Sequence, residues 1–207
     1  MVNNYLNESN GLKATAEIYN LDGTQKFSQQ TNVDAAPNSS TRVLTLPAPE
    51  GLSPTYFVRL ALADDKGQTW SRNFYWLSTQ AETMGEPKDG SDWYYTPTRQ
   101  FADFTALSNL PPAELRVSAR APADDLTTHV SLVNTGRMPA FVVRLKATDG
   151  KGEEILPALW EDNYISLLPG EQRVIQASCA RERPPKVEVE GWNVAPHSKV
   201  AISPEIY

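Results

Sequence analysis

Proline is the residue that most limits what this 207-residue chain can become: 16 prolines are spread along its whole length. Each fixes φ and removes a backbone donor, so a helix interior that contains one is kinked or broken. Between these breakers lie short runs in which apolar and polar side chains alternate, rich in Val, Ile, Thr, Phe, Tyr and Trp and closed by Gly, Asp or Asn. That is the pattern of half-buried strands joined by tight turns. Hydrophobic residues make up 40% of the chain, enough for a packed core. The expectation is an ordered, all-β protein.

The first half reads as five strands: Lys13 to Tyr19, Lys26 to Val33, Ser40 to Leu46, Thr55 to Ala63 and Gln68 to Leu77, with Val2 to Leu6 as a short addition. Leu21-Asp22-Gly23-Thr24 and Asp64-Asp65-Lys66-Gly67 are hairpin turns in which the glycine takes the left-handed conformation. Trp70, Tyr75 and Trp76 are expected to pack in or against the core. An immunoglobulin-like sandwich usually has about seven strands in about 100 residues. The first domain, residues 1–79, is therefore expected to be an incomplete sandwich, truncated at its start.

Alternation stops between Gln80 and Arg99, where Gly85-Glu86-Pro87-Lys88-Asp89-Gly90-Ser91 is polar and full of breakers, so residues 80–99 are read as a linker. The second domain, residues 100–207, opens on a short helical turn from Phe101 to Leu107 that Asp103 can cap. Seven strands follow: Leu115 to Arg120, Thr128 to Asn134, Phe141 to Lys146, Ile165 to Leu168, Arg173 to Ala177, Lys186 to Glu190 and Val200 to Ser203. The overall expectation is two tandem immunoglobulin-like β-sandwich domains. Phe57-Val58-Arg59-Leu60 before Asp65-Lys66-Gly67 is echoed by Val142-Val143-Arg144-Leu145 before Gly150-Lys151-Gly152. Limited turn chemistry accounts for the echo without a duplication.

A net charge of −6 and a pI near 5.0 argue against nucleic acid or an anionic membrane as partner, since both call for a basic patch. A single cysteine, Cys179, allows no disulfide within the chain.

The segment from Phe141 to Glu171, FVVRLKATDGKGEEILPALWEDNYISLLPGE, combines an alternating strand, a glycine turn, a Pro-Ala-Leu-Trp corner, an Asp162-Asn163-Tyr164 loop and a Leu168-Pro169-Gly170-Glu171 turn. With it go Asn73-Phe74-Tyr75-Trp76-Leu77-Ser78, Asp92-Trp93-Tyr94-Tyr95-Thr96-Pro97, Asp103-Phe104-Thr105-Ala106-Leu107, Val133-Asn134-Thr135-Gly136 and Gly191-Trp192-Asn193. In this order the series resembles the carboxy-terminal region of glycoside hydrolase family 2 enzymes of the exo-β-D-glucosaminidase and β-mannosidase branch. The resemblance implies a non-catalytic accessory fragment whose partner is the catalytic barrel of the same polypeptide. It implies a retaining parent enzyme, exported to the periplasm or the medium, whose two glutamates lie on that barrel. A carbohydrate-binding module and a cell-surface adhesion sandwich are the alternatives.

No catalytic residue is expected in the chain itself. Retaining glycosidases need two carboxyl groups about 5 Å apart across a sugar pocket. Asn7-Glu8 imitates the family's asparagine and acid/base glutamate, but Ser9-Asn10-Gly11 follows it as a surface turn, with no barrel strand before it. His129 lies on the polar side of its strand, opposite to Val130 and Leu132. His197 and Cys179 are too far apart in the sequence to make a zinc site with it. Asp64-Asp65 and Glu161-Asp162-Asn163 offer oxygen ligands without the spaced series that calcium sites use. No metal and no cofactor is expected.

Aromatic residues are the remaining candidates, because sugar rings stack their C–H faces on Trp and Tyr. Trp93, Tyr94 and Tyr95 in the linker, and Trp160, Asp162, Asn163 and Tyr164 around the acidic loop, are the candidate contacts for an oligosaccharide or for the catalytic barrel. Trp192 is a third aromatic position of the same kind. Sandwich loops are where function usually resides.

Overall fold

The computed structural model describes residues 1–86, 96–121, 127–179, 184, 186–195 and 197–204. These form two compact units, Met1–Asn109 and Leu110–Tyr207, and both are β-structures.

In the first unit the strands are β1 (Val2–Asn3), β2 (Ser9–Asn20), β3 (Gln25–Ala35), β4 (Ser39–Ser40), β5 (Thr55–Ala63), β6 (Thr69–Ser78), β7 (Thr83–Met84) and β8 (Thr98–Gln100). β3, β2, β5 and β6 form one antiparallel sheet in that order, and β1–β4 and β7–β8 are two-stranded ribbons. Alternation decides which residues face inward. Leu12, Ala16 and Ile18 of β2 are buried, and Ile18 stands opposite Val58 of β5 in the ladder. On the other face Phe57 is fully buried, with its ring 5.1 Å from that of Phe74. Beside it Arg59 and Glu17, opposite each other, are joined at 2.8 Å. Burial, together with the Glu17 carboxylate, pushes the neighbouring Tyr19 hydroxyl up to about 12.

The Ser40 to Leu46 strand is not formed: only Ser39–Ser40 pair, with Val2–Asn3, and the expected Val2 to Leu6 strand is limited to those two residues. β-propensity describes how well a side chain fits a pleated surface, and it cannot hold a strand that has no ladder to join. The segment expected to be a linker begins and ends in the β7–β8 ribbon, and Gln100 Nε2 donates to Ala81 O at 3.0 Å. The helical turn is a 3-10 turn at Thr105–Asn109. As its composition suggests, Asp103 Oδ1 caps it by accepting from Thr105 N at 2.9 Å and from Thr105 Oγ1 at 2.6 Å. This turn belongs with the first unit, where Thr55 Oγ1 donates to Asp103 O and Asp103 N donates to Ser78 Oγ.

The second unit contains β9 (Leu115–Ala121), β10 (Thr127–Asn134), β11 (Ala140–Thr148), β12 (Ala158–Trp160), β13 (Ile165–Leu167), β14 (Gln172–Cys179), β15 (Lys186–Glu190) and β16 (His197–Pro204). Their order is β12-β14-β10-β9-β16-β15-β11-β13. Every pairing is antiparallel except β9 with β16, where Ala119 lies opposite Ile202 in a parallel register. That parallel seam links the β12-β14-β10-β9 side to the β16-β15-β11-β13 side. Val130, Leu132 and Ile175 of the first side form one core cluster with Val143, Leu145 and Val189 of the second. Each of these is 1% exposed or less, and burying a side chain of this size contributes about 1.5–3 kcal/mol. All seven expected strands are present. The eighth, β12, lies where the sequence suggested only a corner, because its three residues are too few to show a period of two.

Asn134 explains the Asn-Thr-Gly motif at the end of β10. It is fully buried, its Nδ2 donates to Met138 O at 2.8 Å and Leu167 O at 2.9 Å, and its Oδ1 accepts from Gly136 N at 3.1 Å. A Cβ on Gly136 would stand 3.1 Å from Glu114 N, so a larger residue there would have to displace the Glu114 backbone by a few tenths of an ångström.

Candidate contact surfaces

The acidic loop between β12 and β13 is held by its own polar groups. Asn163 Oδ1 accepts from Leu145 N at 2.8 Å, and its Nδ2 donates to Leu145 O at 3.0 Å. In the ladder, β13 pairs with β11 at Ala140 and Val143, so the Asn163 amide takes the place of the next peptide group beyond the last backbone pair. Asp162 Oδ2 accepts from Arg173 at 2.8 Å and its Oδ1 from Asn163 N. Trp160 packs its ring against the core cluster. Tyr164 is the loop's outward residue: it is 59% exposed, has φ of +55° and lies 5.9 Å from the Arg144 guanidinium. A positive φ is rare for an aromatic residue.

Arg144 belongs to a charged face on β11 and β15. It binds Glu190 at 3.2 Å and Glu154 at 3.1 Å, and Lys146 binds the other Glu190 oxygen at 2.8 Å. The Lys146 hydrogen bond, with Arg144 beside it, outweighs partial burial and holds the Glu190 carboxyl below the ordinary carboxylate range.

Of the other sequence candidates, Trp93, Tyr94 and Tyr95 lie outside the described residues. Trp192 is 59% exposed, its ring edge-on to Phe141 at 6.4 Å. Next to it Asn193 ties three segments together: it donates to Pro111 O and Pro139 O and accepts from Phe141 N. Glu8 is an exposed residue just before β2. Asp64 uses its carboxylate inside its turn, accepting from Lys66 N, Gln68 N and Trp70 Nε1. Asp149 does the same with Lys151 N and Glu153 N, so the echoed hairpins share one bonding pattern.

Trp70, Tyr75 and Trp76 depart from their expected place in the core. They are 54%, 45% and 43% exposed, and Leu77 is 40% exposed. Their strand, β6, is the outer strand of its sheet and has a neighbour on one side only. Tyr75 stands opposite Val58 and Trp76 opposite Phe57, so consecutive large side chains point to opposite faces of the same edge. The sequence signal for this was present: Phe74-Tyr75-Trp76-Leu77 is apolar without alternation, which a strand with one wet face would not be.

Residues 93–194 match the exo-β-D-glucosaminidase Ig-fold domain, and residues 1–80 match the mannosidase Ig/CBM-like domain. An exo-β-D-glucosaminidase of Amycolatopsis orientalis is 41% identical over 204 residues, covering 93% of this chain and 20% of the relative. One of Streptomyces avermitilis is 38% identical over 207 residues, covering 94% and 23%. The crystal structure of the Amycolatopsis orientalis exo-chitosanase CsxA superposes with a TM-score of 0.87 at 40% identity, over 97% of this chain and 24% of that one. A β-D-mannosidase from Dictyoglomus thermophilum shares the fold, with a TM-score of 0.60 at 18% identity. The chain spans about a fifth to a quarter of the length of these relatives. The chain thus belongs to two immunoglobulin-like domain families, the mannosidase Ig/CBM-like domain over residues 1–80 and the exo-β-D-glucosaminidase Ig-fold domain over residues 93–194.

Proposed function

We propose that this chain serves as a buttress in a larger retaining exo-β-glucosaminidase or β-mannosidase, hydrolyses nothing itself, and packs against the catalytic barrel of the same polypeptide. The observation that carries this reading is the β6 edge, where Tyr75, Trp76 and Leu77 are all at least 40% exposed while pointing to alternate faces. A module that lays a sugar chain across its surface needs its aromatics in one plane. Aromatics gathered on both sides of an edge suit a protein neighbour that wraps it, and an uncovered apolar edge strand is an aggregation hazard that a neighbour removes. The test is reconstitution with the catalytic region of an exo-β-D-glucosaminidase lacking its own equivalent domains. Association is expected to be saturable and to weaken at least about tenfold, a loss of ~1.4 kcal/mol, in the Tyr75→Asp, Leu77→Asp double variant. Equal association of the variant, or none by the parent chain, contradicts the buttress.

A second reading, a carbohydrate contact at the 160–164 loop, is favoured by Tyr164, whose exposed ring is held in a left-handed backbone conformation while Asp162 and Asn163 fix the loop beneath it. Calorimetric titration with chitosan and mannan oligosaccharides tests it. Binding lost in Tyr164→Ala supports the contact, and silence leaves the buttress alone.

A further inference from the structure

On the outward side of β9, β10 and β14 lies an open groove of about 420 Å³ lined by Ser118, Arg120, His129, Ser131, Gln172, Val174 and Gln176. The ladder aligns these residues in rows. Arg120, His129 and Gln176 stand side by side across three strands, and Ser118, Ser131 and Val174 form the next row. One residue pair further, Arg116 and Gln172 flank Val133. The face is concave and polar, although it belongs to a sheet whose inner side is the core.

The lining has four properties that select a ligand. It carries no carboxylate, in a chain of net charge −6. Among the described residues near it, Glu114 lies two positions before Arg116, Glu171 adjoins Gln172 with its carboxylate accepting from Leu168 N, and Glu161 borders β14 with its Oε2 accepting from Gln176 N. Neither Arg116 nor Arg120 makes a salt bridge to a described residue, a state they share with Arg42, Arg99 and Arg137 and that leaves both guanidinium groups open to an anion. Its neutral groups are amides and hydroxyls, which both donate and accept, as sugar hydroxyls do. Its one clearly apolar exposed side chain, Val174, is too small to anchor a peptide. β10 is an inner strand with both edges paired, so strand addition is closed as well.

We infer that this face binds an anionic oligosaccharide, a sugar chain bearing carboxylates. The guanidinium of Arg120 receives the carboxylate in the two-pronged geometry that arginine favours, and Arg116, four residues away on the same face of β9, adds positive charge beside the groove. Gln172, Gln176, Ser118 and Ser131 exchange hydrogen bonds with the hydroxyls, and Val174 underlies a C–H face of the ring. Openness suits a chain that passes across the groove. The groove shares no lining residue with the β6 edge or with the 160–164 loop, although Glu161 of that loop adjoins Gln176.

Calorimetric titration of the 207-residue chain at low salt with a short oligogalacturonate, a neutral mannan oligosaccharide of equal length and sodium sulfate at matched ionic strength tests this. Saturable binding of the uronate is expected. The neutral chain should bind at least about tenfold more weakly, and sulfate should not displace the uronate. Arg120→Gln should lower uronate affinity at least about tenfold with an unchanged unfolding midpoint, and Tyr164→Ala should leave it unaltered. Should Arg120→Gln lower the midpoint, Arg116→Gln replaces it with the same expected loss. The inference is overturned by no saturable heat, by equal affinity for the neutral chain, by displacement with sulfate, or by binding that survives both arginine substitutions.

Discussion

Asn163 shows how a residue that looks functional in the sequence can be spent on structure. Polar residues in a loop between strands suggest a site, yet the Asn163 amide bonds both the N–H and the C=O of Leu145 and so continues a ladder that the backbone has left. Removing it leaves both peptide groups of a buried residue without these partners. Asn163→Ala is expected to destabilise the second unit by about 1–3 kcal/mol, read as a lower urea midpoint with an unchanged slope. A midpoint within error of the parent would show that water replaces the amide at no cost. The same distinction separates what could be read at Asp64 from what could not. The turn was legible, because Gly67 and the aspartate mark it, but a sequence does not show that the carboxylate is already used by three donors. Only Tyr164 of the loop candidates keeps an exposed ring.

Strand positions were readable wherever both faces of a strand met different surroundings. β5 runs from Thr55 to Ala63 as alternation suggests, and β10, β11 and β15 lie within a few residues of expectation. What failed did so for want of pairing information. Ser40 to Leu46 has strand composition but meets a partner only at its first residues, while β12 has a partner in β14 but too few residues to show its period. The exposure of Trp70, Tyr75 and Trp76 followed from the position of β6 at the outside of its sheet, a fact of strand order that local pattern does not carry. Between β11 and β15 the charge pairing has a consequence for pH. Because the carboxyl of Glu190 is held below its ordinary value of 4.5, its stabilising contribution is complete above that pH and is lost as pH falls through the lowered value. Glu190→Gln should therefore flatten the acid limb of a stability–pH curve while leaving the neutral region less stable than the parent. A variant curve parallel to the parent's across the acid range would refute that assignment.

At the scale of the whole molecule, an all-β chain was legible in composition, proline spacing and turn chemistry, and two immunoglobulin-like units in the strand count and in the order of motifs, which resembles that of a known enzyme branch. Surfaces were less legible. Burial of an aromatic depends on which strand becomes an edge, and a groove such as that of Arg120 and His129 is assembled from three strands far apart in the chain. Three surfaces differ in their chemistry: the exposed apolar β6 edge, the Tyr164 loop, and the groove whose lining has no carboxylate. The proposed role of the chain is to support catalysis without performing it. The most direct measurement is hydrolysis of chromogenic β-glucosaminide and β-mannoside by the purified chain over prolonged incubation. No release above the uncatalysed rate is the predicted result, and turnover that disappears in Glu8→Gln would contradict it.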